Sequence, residues 1–280
     1  MSLLLSKSSI RLFSLLIISI FIVTNCKDST KPDPDPPVIP PLSAIEMDLS
    51  NFNAGGSPKL SSDPLVKNTS VLSQENWGYA AVNVWFWSLY TNAVLLVPTA
   101  AFVATINQVP QYQGNLEWLW TNNFPTANPQ YTSKLYGKIV DDIVEWRMYI
   151  SQTGAYTDFL WYTGESNIDA TDGSWIFNKS PEEAVNILAV TWNKTGNEIG
   201  DLKYEIIESG SKDEGAYILY KLTGDATYDA AFELFNNQTQ NLINVEWHRV
   251  NQNGRVKDPA YFSDSNWHCW DASHQDIDCP

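Results

Sequence analysis

The feature that most constrains this chain is a long stretch without charge. Between Glu75 and Glu117 there is no Asp, Glu, Lys, Arg or His, and Ala81–Ile106 reads AVNVWFWSLYTNAVLLVPTAAFVATI. A segment that is apolar on every side has to be shielded from water, either by lipid or by the rest of a folded protein. The stretch therefore predicts either a membrane span or the buried centre of a domain.

Three details of the stretch favour the buried centre. Asn, Ser and Thr residues are spread through it, Pro98 divides it, and no cluster of Lys or Arg flanks it to fix an orientation in a membrane. We expect a pair of core helices near residues 77–107, one ending near Val97 and the next beginning at Thr99. An apolar sheet should then enclose both helices.

The chain after Leu116 has the pattern of β-structure. Apolar and polar residues alternate in segments such as VEWRMYIS (Val144–Ser151) and NVEWHRV (Asn244–Val250), and turn sequences such as QTGA and KTGNEIG separate them. The spacing of these turns predicts an antiparallel meander of about ten strands. We expect an α+β, mainly β fold in which this meander is curled or closed into a barrel around the helix pair, because closure removes exposed strand edges.

The N-terminus has the composition of an export signal. Lys7 and Arg11 precede the apolar run LFSLLIISIFIVT, and Cys26 follows in the sequence VTNC. This arrangement resembles the signal peptide and lipobox of bacterial lipoproteins. The resemblance implies that residues 1–25 are removed and that Cys26 carries acyl chains, including palmitate. It also implies a place in the cell envelope, with the outer membrane, at its periplasmic face or at the cell surface, as the expected location.

The cysteine count is consistent with such a lipoprotein. There are three cysteines, and an odd number in an exported protein leaves one thiol to be accounted for. Lipidation would use Cys26, and Cys269 and Cys279 can then form a disulfide bond in an oxidising compartment. We expect that bond to pin down the C-terminal tail.

Residues 26–44 are rich in proline, which is typical of a semi-rigid spacer. We therefore divide the chain into a signal peptide (1–25), a lipidated cysteine with its linker (26–44) and a single β-rich domain (45–280). The formal net charge of −15 disfavours nucleic acid as a partner, so the expected partners are the membrane, through Cys26, and an apolar or carbohydrate ligand.

Candidate binding residues come from the aromatic side chains. Trp85 and Trp87 lie in the charge-free stretch, and Trp118 and Trp120 share one face of the first long strand. Tryptophan rings stack against sugars and apolar ligands, but they also fill protein cores. These four are our candidate ligand-binding residues, with core packing as the alternative.

The C-terminal sequence NWHCWDASHQDIDCP concentrates possible metal ligands. Imidazole and carboxylate groups bind transition metals, and the candidate ligands are His268, Asp271, His274 and Asp276. Their spacing matches no known ligand pattern, and a disulfide-pinned tail without a metal is the interpretation we favour. The chain also has no phosphate-binding glycine loop, HExxH or CxxC motif, so we expect no cofactor.

Three classes of function remain open at this point. The first is a non-catalytic binding or carrier module anchored to a membrane. The second is a structural or adhesion protein without a small-molecule site, and the third is an enzyme of unknown class. A cavity between helix and sheet favours the carrier, a solid core favours the adhesion protein, and a pocket that holds a histidine with two carboxylates favours the enzyme.

Overall fold

The structure, a computed structural model, describes residues 32–52, 73–125 and 130–280. The predicted signal peptide, Cys26 and residues 27–31 of the predicted linker lie outside the described residues. Residues from Asp35 to Pro280 belong to one compact unit. Pro37, Pro40 and Ala44 are already buried, so this unit begins several residues before the predicted boundary at residue 45.

The described chain contains one long helix, α1 (Glu75–Ile106), one short helix, α2 (Pro259–Phe262), and two single turns of 3-10 helix, Leu42–Ala44 and Ser50–Phe52. Fourteen strands follow α1. They are β1 (Gln111–Gly114), β2 (Glu117–Pro125), β3 (Gln130–Val140), β4 (Ile143–Gln152), β5 (Tyr156–Asn167), β6 (Asp172–Asn178), β7 (Asn186–Thr195), β8 (Glu198–Ile206), β9 (Tyr217–Leu222), β10 (Ala230–Asn236), β11 (Asn241–Trp247), β12 (Gly254–Lys257), β13 (His268–Trp270) and β14 (Asp276–Ile277).

The strands form one antiparallel sheet in which each strand pairs with the next along the chain. The predicted mainly β antiparallel meander is confirmed. It has fourteen strands where the sequence suggested about ten, because the turn count missed the short strands at both ends. The sheet is open in the described structure, with β1 and β14 as its edges, so the barrel is not supported.

Short turns keep consecutive strands antiparallel. Val140 pairs with Ile143, so Asp141 and Asp142 alone connect β3 to β4. Asp141 has a left-handed backbone conformation with φ of 54°, which Asp tolerates better than most residues because its short side chain can bond locally. The acidic pair is therefore a turn element.

One face of the sheet is apolar, and it is packed closely enough that four positions admit only glycine. A Cβ atom built at Gly164 would lie 2.1 Å from the ring of Trp175, and one at Gly254 would lie 2.3 Å from the ring of Trp270. Each of these glycines lies beside a tryptophan on the neighbouring strand; the full set is Gly137 with Trp146, Gly164 with Trp175, Gly173 with Trp192 and Gly254 with Trp270. Large rings fill the space that the glycines leave.

Helix α1 crosses this apolar face from the last strands to the first. Near its N-terminus, Asn76 donates a hydrogen bond of 2.9 Å to the carbonyl of Cys269 in β13. Near its C-terminus, the hydroxyl groups of Thr105 and Ser133 in β3 are hydrogen-bonded. Phe102 packs against Trp175 of β6 with ring centroids 6.3 Å apart. The helix thus contacts both ends of the sheet and its middle.

The predicted helix pair is wrong, because α1 is one continuous helix of 32 residues that passes through Pro98. Proline removes one backbone hydrogen bond and costs about 3 kcal/mol within a helix. Leu95, Pro98 and Phe102 are all buried on the side that faces the domain. Burial of this shared apolar face on both sides of the proline offsets that cost.

The predicted enclosure of the helix is also wrong. The inner face of α1 packs against the domain, but Trp85, Phe86, Leu89, Leu96 and Val103 on its outer face are 41–70% exposed. By length and composition α1 could span a membrane, and 28% of its most apolar 18-residue window is buried. Core helices of soluble proteins can have the same length and the same apolar composition.

A segment that precedes α1 covers the middle of the sheet. We call residues 37–52 the strap. Trp175 donates an indole hydrogen bond of 3.0 Å to the carbonyl of Ala44. The hydroxyl of Tyr204 in β8 donates to the carbonyl of Ile45 and accepts from the amide of Met47, both at 2.7 Å. These bonds satisfy strap backbone groups that would otherwise be buried without partners.

The other face of the sheet is polar. Its strands carry cross-strand ion pairs that are each between a quarter and two-thirds exposed, including Lys134–Asp158, Lys221–Glu233 and Arg255–Glu246. Exposed pairs of this kind contribute little to stability, about 0–1 kcal/mol each. This face is therefore the solvated side, and the tryptophan-rich face is the core.

The C-terminal tail fixes the beginning of α1. Cys269 and Cys279 form the predicted disulfide bond. The helix begins after Gln74, whose side chain makes no capping bond. Instead, the carboxylate of Asp276 accepts hydrogen bonds from the amides of Glu75 and Asn76 at 3.1 and 3.0 Å. A residue about 200 positions away thus supplies the cap.

We expect Asp276→Ala to lower the free energy of unfolding by about 1–2 kcal/mol, because it removes the acceptor of the Asn76 amide and a favourable charge from the positive end of the helix, while the Glu75 amide keeps its bond to the Ser73 hydroxyl. The measurement is urea denaturation followed by tryptophan fluorescence. Asp278→Ala is the matched control, since it removes the same charge two residues away. Equal losses in the two variants would contradict a capping role for Asp276.

Candidate functional site

A concave feature of the described part of the domain lies between the strap and the middle of α1. This strap–helix cleft has a volume of about 740 Å³. The strap forms one wall from Leu42 to Ser50, α1 forms the other from Ser88 to Ala100, and Tyr204 of β8 lies between them. The volume is in the range of sites that bind small molecules, about 300–1,000 Å³.

The walls of the cleft combine apolar and hydroxyl-bearing side chains. The apolar residues are Leu42, Met47, Leu49, Leu95 and Leu96, and the hydroxyl-bearing ones are Ser43, Ser50, Ser88, Thr91, Thr99 and Tyr204. Thr91 already donates a hydrogen bond of 2.8 Å to the carbonyl of Trp87. Burial raises the pKa of Tyr204 well above its ordinary value, so its hydroxyl stays neutral. This lining suits a molecule with apolar surface and a few hydrogen-bonding groups.

The charged groups at the cleft have one sign. Glu46 and Asp48 line it from the strap, and no Lys or Arg is among its described lining residues. Carboxylates without a nearby cation repel an anionic ligand and attract a cationic one. The cleft therefore disfavours fatty acids and other anions.

A second, smaller cleft of about 320 Å³ lies on the other side of the strap. It shares Glu46 and Asp48 with the larger cleft, and Tyr220, Trp247 and Arg249 also line it. Arg249 donates hydrogen bonds to Glu198 at 2.9 Å and to Asp229 at 3.0 Å. Its positive charge is thus already neutralised by two carboxylates, and the strap separates two acidic clefts.

The four predicted tryptophans do not come together in one site. Trp87, Trp118 and Trp120 are at most 4% exposed and belong to the core. Trp85 is 41% exposed on the outer face of α1. None of the four lines the strap–helix cleft. The sequence pattern placed all four on apolar faces of their helix or strand. Three of them, Trp87, Trp118 and Trp120, pack in the core.

The C-terminal candidate metal ligands likewise point to different partners. Asp276 caps α1, and the carboxylate of Asp271 accepts hydrogen bonds from the amides of Ser273 and Gln275 at 2.8 and 3.0 Å. His268 lies 3.2 Å from a carboxylate oxygen of Asp264. Within residues 32–52, 73–125 and 130–280, no three His, Cys, Asp or Glu side chains are placed to hold one metal ion.

His274 packs against the beginning of α1. Its ring stacks on Trp77 of α1, with centroids 4.2 Å apart and planes inclined by 4°. Burial lowers the pKa of His274 below its ordinary value of 6.5, because the charged imidazolium loses solvation. The neutral ring is therefore part of the junction between the tail and the helix.

The sequence of the strap alternates apolar and acidic residues, but this periodicity alone does not reveal the role of the segment. Ile45, Met47 and Leu49 are buried while Glu46 and Asp48 between them are exposed. This alternation of period two has the form of a strand, yet the segment pairs with no strand in the described structure. Its role as a cleft wall follows from the hydrogen bonds to Tyr204 and Trp175.

Comparison of the chain with protein-family models, with curated proteins and with solved structures finds no match.

We expect the stability of the domain to fall on acidification through His274. The unfolded chain takes up this proton near pH 6.5, whereas the folded chain takes it up at a lower pH, so stability is lost as the pH falls from about 6.5 through the lowered pKa. His274→Phe keeps an aromatic ring on Trp77 and does not titrate. Urea denaturation across this range should show a smaller acid-induced loss for the variant; an equal loss would contradict the prediction.

Proposed function

We propose that the protein is a membrane-anchored, exported lipoprotein whose domain binds a small ligand in the strap–helix cleft. The single observation that carries the proposal is the cleft itself, about 740 Å³ between the strap and α1.

The chemistry of the ligand follows from the cleft walls. Leucine and methionine side chains favour an apolar body, and serine, threonine and tyrosine hydroxyls favour a few hydrogen bonds. Glu46 and Asp48 disfavour a negative group. We therefore propose a neutral or cationic amphiphile rather than a fatty acid, in place of the wider choice between an apolar and a carbohydrate ligand.

The location of the domain rests on the N-terminal sequence. A basic start, a short apolar run and a cysteine directly behind it support lipidation at Cys26. Attachment through acyl chains would hold the domain at the cell envelope, with the outer membrane as the proposed site. A carrier at that place would present its cleft to ligands outside the cytoplasm.

The binding proposal predicts that filling the cleft abolishes binding. We expect the neutral fluorescent probe N-phenyl-1-naphthylamine to bind the wild type, and Ser88→Trp to weaken its binding by at least about tenfold, equivalent to ~1.4 kcal/mol. Ser88 lines the cleft, so the new indole occupies the space of the probe. Fluorescence titration measures the dissociation constants.

Leu89→Trp is the matched control for this experiment. It introduces the same indole one residue further along, but Leu89 lies on the outer face of α1 and does not line the cleft. The proposal requires that this variant bind the probe like the wild type. If both variants bind the probe equally well, or if the wild type does not bind it at all, the cleft is not the binding site.

Lipidation makes a separate prediction. Replacing Cys26 by Ser should move the protein from the membrane fraction to the soluble fraction, because the acyl chains that hold it would be absent. Metabolic labelling with palmitate should label the wild type and not the variant. A wild type that takes up no palmitate would contradict the anchor and leave the cleft proposal untouched.

A further inference from the structure

The outer face of α1 carries a continuous apolar stripe. We call Trp85, Phe86, Leu89, Leu96 and Val103 the outer stripe; each of them is at least 41% exposed, and Leu96 is 70% exposed. No charged residue lies between Glu75 and Glu117. The exposed parts of the five side chains amount to roughly 500 Å² of apolar surface, within the range of about 300–600 Å² that is typical of the largest apolar patch on a monomeric protein, a patch that is often functional.

The spacing of the stripe indicates what covers it. Leu89, Leu96 and Val103 recur every seven residues, and Ala93 and Ala100, also exposed, lie between them. Apolar residues at this spacing are typical of a seam that packs against another helix. The stripe belongs to a helix of 32 residues, about 48 Å long, which offers several turns for such a contact.

We propose that α1 packs against α1 of a second copy of this chain, in an antiparallel arrangement across a two-fold axis. Antiparallel pairing places large residues of one copy opposite smaller ones of the other. In the register that does this, Phe86 faces Val103, Leu89 faces Ala100 and Ala93 faces Leu96. Because the axis makes each contact occur twice, one complementary stripe serves both copies.

The charge distribution and the size of the stripe support a second copy over a lipid surface. Helices that lie on membranes carry Lys and Arg on their polar side, whereas α1 has neither. The net charge of −15 would oppose the approach of two copies, but this seam is neutral along its whole length. Two stripes together would bury about 1,000 Å², the lower limit for a specific interface.

The pairing makes a prediction about cross-linking. In full-length chains that carry Cys26→Ser, we expect Ala93→Cys to form an intermolecular disulfide on mild oxidation, because residue 93 lies next to the axis. Val103→Cys alone should not cross-link, but it should do so when mixed with Phe86→Cys. Non-reducing gels measure the product. If Val103→Cys cross-links alone as well as Ala93→Cys does, the antiparallel pair is wrong.

Sedimentation velocity tests whether the dimer forms through this stripe. The wild type should sediment as a dimer, and Leu89→Glu should raise its dissociation constant at least about a hundredfold, because each copy would bury an unpaired charge. Val250→Glu, at a position 80% exposed in the turn after β11, is the control and should leave the dimer intact. A dimer unaffected by Leu89→Glu would overturn the proposal.

Two other results would overturn the proposal in favour of another occupant. A monomer whose stability falls in Leu89→Glu would show that the chain itself covers the stripe. A monomer that floats with phosphatidylcholine vesicles in the Cys26→Ser background, and loses this in Leu89→Glu, would show that lipid covers it. Leu96 and Ala100 line the strap–helix cleft as well as the proposed seam, whereas Leu89 and Phe86 belong to the seam and do not line the cleft. Leu89→Glu therefore tests the dimer without altering a cleft wall residue, and failure of the dimer leaves the result of the probe titration unchanged.

Discussion

One continuous sheet of fourteen strands has a single apolar face, and the arrangement of the rest of the domain follows from the need to cover it. An antiparallel sheet can leave one face in water but must pack the other against a second layer. One helix is too narrow for this width, so α1 crosses the sheet from end to end and the strap covers the part of the middle beside it. The strap–helix cleft lies where these two covering elements diverge.

The hydrogen bonds that hold the strap depend on the same face. Trp175 and Tyr204 each present a polar atom in an otherwise apolar surface, and the strap backbone supplies the partners. A buried donor without a partner costs about 1–3 kcal/mol, so these two residues fix the strap at a defined place. The position of the cleft wall is therefore set by two side chains of the sheet together with the buried Ile45, Met47 and Leu49 of the strap.

The N-terminal end of α1 depends on the last residues of the chain. Asp276 caps the helix, His274 stacks on Trp77, and the Cys269–Cys279 bond holds the tail that carries both. Contacts between residues about 200 positions apart form only when most of the sheet is in place. The tail thus couples the helix, which forms one wall of the cleft and carries the outer stripe, to the completed sheet.

The sequence by itself determined the elements: the charge-free stretch predicted helix, the alternation predicted antiparallel strands, and the cysteine count predicted the disulfide. These follow from local periodicity and from pairing chemistry. It did not determine that α1 runs unbroken through Pro98, that its outer face stays open, or that Trp87, Trp118 and Trp120 fill the core. Whether an apolar side chain is buried, and whether a proline is tolerated, depends on what lies opposite it. Only the tertiary structure decides that, because the burial of each side chain depends on how α1, the strap and the tail pack on the apolar face of the sheet.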